Sequence, residues 1–121
     1  MDTKFKQEIE NLKNNIHYGN CLSYNNVEDD IEFGEVEITE KLFRQAEILI
    51  FCKQTKEQQE ESKKQIKELR SVIKNDDANF PAIAIIRHPT YNFIADGNHR
   101  VYALYKEGAK WYDAIYIKRK E

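Results

Sequence analysis

The chain carries one segment that decides how its C-terminal third folds, Phe93-Ile94-Ala95-Asp96-Gly97-Asn98-His99-Arg100-Val101-Tyr102-Ala103-Leu104. The segment opens within a β-rich run at residues 91–95, and Gly97 interrupts that run. Apolar residues then recur at helical spacing from Val101 to Tyr105, and Gly108 is typical of a helix end. The segment therefore predicts a strand, a tight turn and a helix in that order.

Further β-rich runs lie on both sides of this segment. Residues 82–86 precede it and predict an antiparallel hairpin with residues 91–95, joined by a longer loop. Residues 111–117 follow it and predict a last strand. Nearer the N-terminus, residues 31–38 alternate apolar and acidic side chains, which predicts a strand with a bulge at Gly34.

Two capping signals mark helices between the first strand and the hairpin. Thr39 can cap a helix whose apolar stripe runs to Cys52 and is wide enough to predict extensive burial. Thr55 stands three residues before Gln58, the spacing of a capping box. The polar stretch 56–65 predicts that the first half of this second helix is solvated.

The length of 121 residues fits one domain. Within it, residues 1–30 form an extension, with an amphipathic helix predicted from the apolar spacing over residues 5–16 and a loop after it. Residues 31–117 form the core. The predicted fold class is α+β, a small mixed β-sheet with packed helices.

Composition excludes several classes of protein. The net charge of −2 argues against a bulk electrostatic grip on DNA, although it leaves room for a local basic patch. Cys21 and Cys52 lack the spacing of a disulfide framework, and the histidines and cysteines lack zinc-ligand spacing, so no metal site is predicted. The longest apolar cluster, residues 48–52, is too short to span a bilayer, so we expect no membrane partner and a cytoplasmic location.

The Asp96–Arg100 turn has the chemistry of an anion site. The first N–H groups of a helix lack intrahelical partners, and the helix dipole favours negative charge there. Gly97 lets the backbone approach a ligand, and Asn98 or Asp96 can cap the helix. A cation such as Arg100 opposes the dipole unless an anion lies between them. The alternative is a structural turn, in which Arg100 pairs with a surface carboxylate such as Asp113 or Glu107.

The same segment resembles the second conserved box of the ParB/sulfiredoxin-like superfamily. In that family a Gly-containing turn ends a strand, an Arg begins the next helix, and a small residue follows three positions later, as Gly97, Arg100 and Ala103 do here. Upstream, residues 66–73 and 80–85 are similar to the family's helix, Pro turn and strand. The resemblance covers about residues 60–117 and implies a ParB/sulfiredoxin-like fold that holds nucleotide phosphates.

Departures from the family pattern narrow the expected activity. Sulfiredoxins carry a catalytic Cys where this chain has Asn98, so sulfinic-acid reduction is not expected. Chromosome-partition members have Glu, Arg and Arg where Asn98, His99 and Tyr102 stand, and a helix-turn-helix follows, so a CTP-gated DNA clamp is not expected. The box is most similar to Asp-Gly-His-His-Arg members, which resemble small-molecule kinases, and some relatives have been called nucleases.

The resemblance leaves three functions open. The first is a nucleotide-binding domain that acts as an ATP- or ADP-dependent phosphotransferase or phosphohydrolase. The second is a non-catalytic regulatory protein of plasmid or phage type that keeps the phosphate pocket and binds a protein partner through residues 1–30 and 40–74. The third is a ParB-like nuclease or DNA-binding module, against which the acidic balance counts.

Residue roles follow from the first function. Gly97, Asn98, His99 and Arg100 are expected to bind the phosphates of ATP, ADP or CTP, with Mg²⁺ bridging them. Asp96 and His99 are the catalytic candidates, Asp96 as base or metal-side ligand and His99 in proton transfer. A second carboxylate would be needed, and four candidates stay unranked: Glu35, Glu37, Glu40 and Glu47.

Overall fold

A computed structural model of the protein describes residues 31–75, 80–87 and 92–117. The extension over residues 1–30, with its predicted helix, lies outside these described residues. The described strands are β1 (Ile31–Glu37), β2 (Ile83–Arg87), β3 (Asn92–Asp96) and β4 (Trp111–Ile117). The described helices are α1 (Glu40–Cys52), α2 (Lys56–Lys74) and α3 (Asn98–Lys106).

The four strands form one mixed sheet in the order β1-β4-β2-β3. β1 pairs antiparallel with β4, β4 runs parallel to β2, and β2 forms the predicted antiparallel hairpin with β3. This arrangement confirms the predicted α+β class with a mixed sheet. It also makes β3 an edge strand, so the turn that follows it opens at the side of the sheet.

The predicted bulge at Gly34 was wrong. Gly34 pairs with Ala114 in an unbroken register, and the irregularity falls between Ala84 and Ile85 in β2 instead. A Cβ at Gly34 would lie 3.6 Å from the ring of Tyr116, an ordinary van der Waals contact, so the strand has space for a small side chain at this position.

Both helix starts predicted from the capping signals are confirmed. The hydroxyl of Thr39 accepts a hydrogen bond from the backbone N–H of Leu42 at 3.2 Å. At Thr55 the capping box is complete: its hydroxyl accepts from the N–H of Gln58, whose side chain accepts from the N–H of Thr55. These contacts satisfy N–H groups that the first helical turn leaves unpaired.

All three helices contribute to a core on one face of the sheet, where side chains of β1, β2, β3 and β4 meet them. A smaller cluster of strand residues, which includes Ile115 and Ile117, lies on the opposite face. α1 buries only one stripe against the core, and Ile48 and Leu49 are 50% and 44% exposed. The extensive burial expected for α1 was therefore wrong, because this helix meets β3 and α3 but barely contacts α2.

α3 lies between α1 and α2 and contacts both. The ring of Phe43 in α1 stacks on Tyr105 at 4.4 Å and meets Tyr102 at 4.9 Å, which fixes α3 against α1. Such ring pairs add stability beyond their buried area. None of the three described helices is long and apolar enough to cross a membrane. α3 is thus held between α1 and α2.

Candidate functional site

The turn between β3 and α3 is made by Gly97 alone. Its backbone adopts φ 108° and ψ 24°, a left-handed conformation that residues with a side chain rarely take. α3 begins at Asn98, and the first hydrogen bond of the helix runs from the N–H of Val101 to the carbonyl of Gly97. The N–H groups of residues 98–100 therefore come before the helical hydrogen-bond ladder.

The predicted cap of this helix was wrong. Gly97 occupies the N-cap position, and within the described residues no side chain caps the helix as Asn98 or Asp96 was expected to do. Asp96 lies on the strand side of the turn, and its carboxylate binds Arg100 instead. Among the described residues, no side-chain oxygen accepts from the first amides of α3, whereas Thr39 and Thr55 accept from those of α1 and α2.

The guanidinium of Arg100 turns back into the protein. Nη1 donates to the carbonyl oxygens of Pro81 at 2.7 Å and Ala82 at 2.9 Å, and Nη2 donates to Oδ2 of Asp96 at 3.1 Å. The side chain is only 13% exposed. These bonds tie the first turn of α3 to the segment that enters β2, so Arg100 has a structural role in addition to any contact with a ligand.

Gly97 and Arg100 are packed against each other. A Cβ on Gly97 would lie 3.2 Å from Nη2 of Arg100 and 3.3 Å from its Cζ. The positive charge of the guanidinium thus lies directly behind the turn, next to the positive end of the α3 dipole. Asp96 supplies one negative charge at this point, which offsets part of the repulsion between Arg100 and the helix dipole. The sequence alone had indicated that a bound anion would offset this repulsion.

His99 is held by a residue that the sequence did not single out. Its Nε2 lies 2.9 Å from Oγ of Ser62 in α2, and Ser62 donates its hydroxyl proton to Oε1 of Gln54 at 2.8 Å. Ser62 therefore accepts at the imidazole, so Nε2 carries the proton and Nδ1 keeps the lone pair of the neutral ring.

The protein environment favours the neutral form of His99. Burial lowers the pKa of the imidazole below its ordinary value of 6.5, and the charge of Arg100 lowers it further. The carboxylate of Asp96 acts in the opposite direction and raises that pKa in part. At neutral pH the ring is consequently a hydrogen-bonding group and a base rather than a fixed cation.

Most of the first half of α2 is exposed, as predicted, and Ser62 is the buried exception. Ser62 is 3% exposed, although it lies within the stretch 56–65 that was expected to be solvated. The signal that would have found it is its spacing, because Ser62, Ile66 and Leu69 stand at i, i+4 and i+7 on one helix face. The buried face of α2 therefore extends one turn further toward its N-terminus than its apolar residues indicate.

A cleft of about 430 Å³ opens at the start of α3. It brings together all five sequence-predicted site residues with side chains from α1, α2 and the entry to β2. The lining residues are Leu49, Gln65, Leu69, Phe80, Pro81, Asp96, Gly97, Asn98, His99 and Arg100. The amides of the turn, the imidazole and the Asp96–Arg100 pair therefore share one concave surface.

A second, more apolar cleft of about 450 Å³ lies next to it, between α1 and β3. Leu49 and Asn98 line both clefts, so the two are adjacent. Ile48 and Phe93, each half exposed, provide apolar surface, and Lys53 adds a positive charge at its edge. Gln45 fixes this wall, because its side-chain amide donates to the carbonyl of Asn92 and accepts from the N–H of Ile94.

No family model, curated protein or solved structure matches this chain. Its site must therefore be judged from its own geometry. That geometry combines a helix N-terminus that no described side chain caps, a glycine without a side chain in the way, a neutral imidazole and a paired arginine, all at the rim of a cleft.

The predicted second carboxylates do not join this site. Glu35 and Glu37 lie on β1, at the sheet edge opposite β3. Glu40 and Glu47 pair with Arg44 on α1. Among the described residues that line the cleft, Asp96 is the one carboxylate.

The described residues also contain no group of three or more His, Cys, Asp or Glu side chains arranged to hold a metal ion. A divalent cation at this cleft would meet one carboxylate among the described lining residues, that of Asp96.

Proposed function

We propose that this chain is a nucleotide-binding domain of the ParB/sulfiredoxin-like type, with a phosphate group at the N-terminus of α3. The observation that carries the proposal is the start of that helix. Three N–H groups precede the first helical hydrogen bond, no described side chain caps them, and they lie at a cleft large enough for a phosphate. Amides in this arrangement favour an anion through both hydrogen bonds and the helix dipole.

Gly97 and Arg100 support the proposal in different ways. The absence of a Cβ at Gly97 lets a phosphate oxygen approach the backbone. The left-handed conformation of Gly97 lets the chain pass directly from β3 into α3. Arg100 positions the turn through its bonds to Pro81 and Ala82 and adds a positive charge behind it. In this proposal Arg100 acts on the phosphate mainly as a charge, and the amides and His99 make the closest contacts.

The adjacent apolar cleft supports a nucleotide rather than inorganic phosphate. A ligand with its phosphate at Asn98 would extend past Leu49 toward Ile48 and Phe93, where a base has apolar surface and one aromatic ring. Ligand sites are commonly apolar, with a few polar groups that orient the ligand, and the two adjacent clefts together have this composition.

Binding without catalysis is the second candidate function, and one observation favours it. A phosphotransferase needs a base or a metal-holding carboxylate, and the cleft's described carboxylate, Asp96, is already bound to Arg100. For turnover of ATP or ADP, Nδ1 of His99 is the remaining candidate proton acceptor, and Mg²⁺ bound by the phosphates would neutralise charge. We therefore rank nucleotide binding above any reaction.

Calorimetric titration with ATP, ADP and CTP, with and without Mg²⁺, tests the phosphate site. The decisive variant is Asn98→Asp. A carboxylate in the first turn interacts favourably with the helix dipole but repels a phosphate. We expect unchanged or higher thermal stability with affinity lowered about fivefold or more, since a charge at a helix N-terminus is worth about 0.3–2 kcal/mol. Gln58→Glu is the matched control, because it makes the same charge change in the first turn of α2, where a capping box accepts Glu.

Two further results decide the outcome. No binding of any of these nucleotides, or equal weakening by Asn98→Asp and Gln58→Glu, would show that the start of α3 is not a phosphate site. Tripolyphosphate separates the two clefts: Phe93→Ser should weaken ATP but leave tripolyphosphate unchanged if the apolar cleft holds the base. Release of labelled phosphate from bound ATP would identify an enzyme, and stable bound ATP would identify a binder.

A further inference from the structure

A third cleft, which we call the α2 groove, lies on the outer side of the helical layer. It has a volume of about 550 Å³ and runs between α2, the C-terminal end of α1 and the middle of α3. Its described lining residues are Phe51, Lys63, Ile66, Lys67, Arg70, Ser71, Lys74 and Tyr102. None of them lines the cleft at the start of α3, so the α2 groove is a separate site.

One wall of the α2 groove is strongly basic. Lys63, Lys67, Arg70 and Lys74 follow one another at intervals of four, three and four residues, which places them on a single helix face. At a rise of 1.5 Å per residue they span roughly 16 Å along α2. The chain as a whole has a net charge of −2, so attraction of a polyanion requires a local group of cations such as this one.

Nearby carboxylates neutralise only part of this charge. Glu107 at the end of α3 accepts a hydrogen bond from Nε of Arg70 at 2.6 Å and lies 3.8 Å from Nζ of Lys74. Glu60 pairs with Lys63 at 3.1 Å, with both side chains more than half exposed. Exposed pairs of this kind contribute little stability, so Lys63 can exchange its partner at low cost.

The opposite wall of the groove is aromatic. Phe51 of α1 and Tyr102 of α3 meet edge to face, with ring centroids 5.6 Å apart, and both are partly exposed. A basic wall facing an aromatic wall is the composition of grooves that bind single-stranded nucleic acids, in which cations follow the backbone and rings contact unpaired bases.

The hydrogen-bonding groups of the lining distinguish between polyanions. Lysine and arginine side chains are donors only, and within the lining the side-chain acceptors are the hydroxyls of Ser71 and Tyr102. An extended acidic peptide brings N–H donors that would find few acceptors here. A phosphodiester linkage brings acceptors only, so its hydrogen-bonding needs match those of the basic wall.

We infer that the α2 groove binds the sugar-phosphate backbone of a single-stranded nucleic acid. Lys63, Lys67, Arg70 and Lys74 contact successive phosphates, and Phe51 and Tyr102 contact the bases. Because the chain carries a net charge of −2, the affinity depends on this local group of cations.

The test is fluorescence anisotropy of a labelled oligothymidylate of about 12 nucleotides, within the range of site sizes for such grooves. We expect the oligonucleotide to bind at low salt. The logarithm of its association constant should fall linearly with the logarithm of the salt concentration, with a slope of about −2 to −3, because three or four phosphates are neutralised on a single strand. The triple variant Lys63→Gln, Lys67→Gln, Lys74→Gln should weaken binding at least about tenfold and reduce the slope. It leaves Arg70 and its bond to Glu107 intact, which keeps α2 joined to α3.

The matched control changes the same net charge outside the groove. Lys41, Arg44 and Arg87 are exposed, lie on α1 and β2 and do not line it, and their triple replacement by Gln should change affinity less than about twofold, since distant exposed charges are screened. No binding at low salt, or equal weakening by the two triple variants, overturns the inference. Displacement of the oligonucleotide by polyglutamate at equal charge also overturns it, because a carboxylate-bearing protein partner would then fit the groove as well.

Discussion

Nε2 of His99 lies 2.9 Å from Oγ of Ser62, and this contact joins the first turn of α3 to α2. The two residues are 37 positions apart in the chain. Because the hydroxyl of Ser62 donates its hydrogen bond to Gln54, it accepts from the imidazole, and the proton of neutral His99 therefore lies on Nε2. The imidazole at the candidate site is thus oriented by a buried hydroxyl on a neighbouring helix.

Replacing Ser62 by Ala should lower the free energy of unfolding by about 1 kcal/mol, because it removes one hydrogen-bond partner from both His99 and Gln54. Urea unfolding followed by circular dichroism measures this change. Ser71→Ala is the control on the same helix, because Ser71 is exposed and surface substitutions usually stay within about 0.5 kcal/mol. Equal effects of the two variants would show that the Ser62 contact adds nothing to stability.

The pKa of His99, measured by NMR titration of its ring protons, should lie below 6.5 because burial and Arg100 disfavour the imidazolium. The folded chain then binds fewer protons at this site than the unfolded chain between the lowered pKa and 6.5. The contribution of His99 to stability is therefore present above 6.5 and is lost as the pH falls through this window. The difference in pH dependence of urea unfolding between wild type and His99→Gln isolates it, and a pKa above 6.5 would contradict it.

Three glycine-to-alanine variants should separate strain from contact. Gly97→Ala should destabilise most, by more than about 1 kcal/mol, because it combines a left-handed backbone with a Cβ 3.2 Å from Arg100. Gly108→Ala carries the strain of φ 78° but meets open space, so it should cost less. Gly34→Ala, in β1 without either problem, should be neutral or slightly stabilising. Thermal denaturation of the three variants gives the order, and a smaller loss at Gly97 than at Gly108 would contradict the packing argument.

Arg100→Lys should lower the free energy of unfolding by about 2 kcal/mol, because one ammonium cannot replace a guanidinium that binds two carbonyls and a carboxylate. Arg44→Lys is the control, since Arg44 is 57% exposed and pairs with Glu40 and Glu47 on the surface of α1. Its expected cost is below about 0.5 kcal/mol by urea unfolding. Similar costs for the two variants would remove the structural role that we assign to Arg100.

Much of the fold could be predicted because its signals are local. Thr39 and Thr55 act within four residues of themselves, and the strand at residues 111–117 follows from its own β-rich composition. The errors arose where a distant neighbour decides the outcome. The irregularity of the sheet falls between Ala84 and Ile85, where β2 pairs with β3, and not at Gly34. The exposure of Ile48 and Leu49 depends on how few elements pack against α1.

The candidate site divides along the same line. The sequence by itself determined the strand–turn–helix around Gly97, because only a glycine takes the left-handed conformation readily and helical spacing resumes directly after it. Only the tertiary structure decided that Arg100 turns inward to Pro81 and Ala82, and that His99 meets Ser62. These contacts join residues 18 to 37 positions apart. The partners of Arg100 and His99 are set by the packing of α3 against α2 and against the segment that enters β2. The spacing of residues along the chain does not indicate that packing.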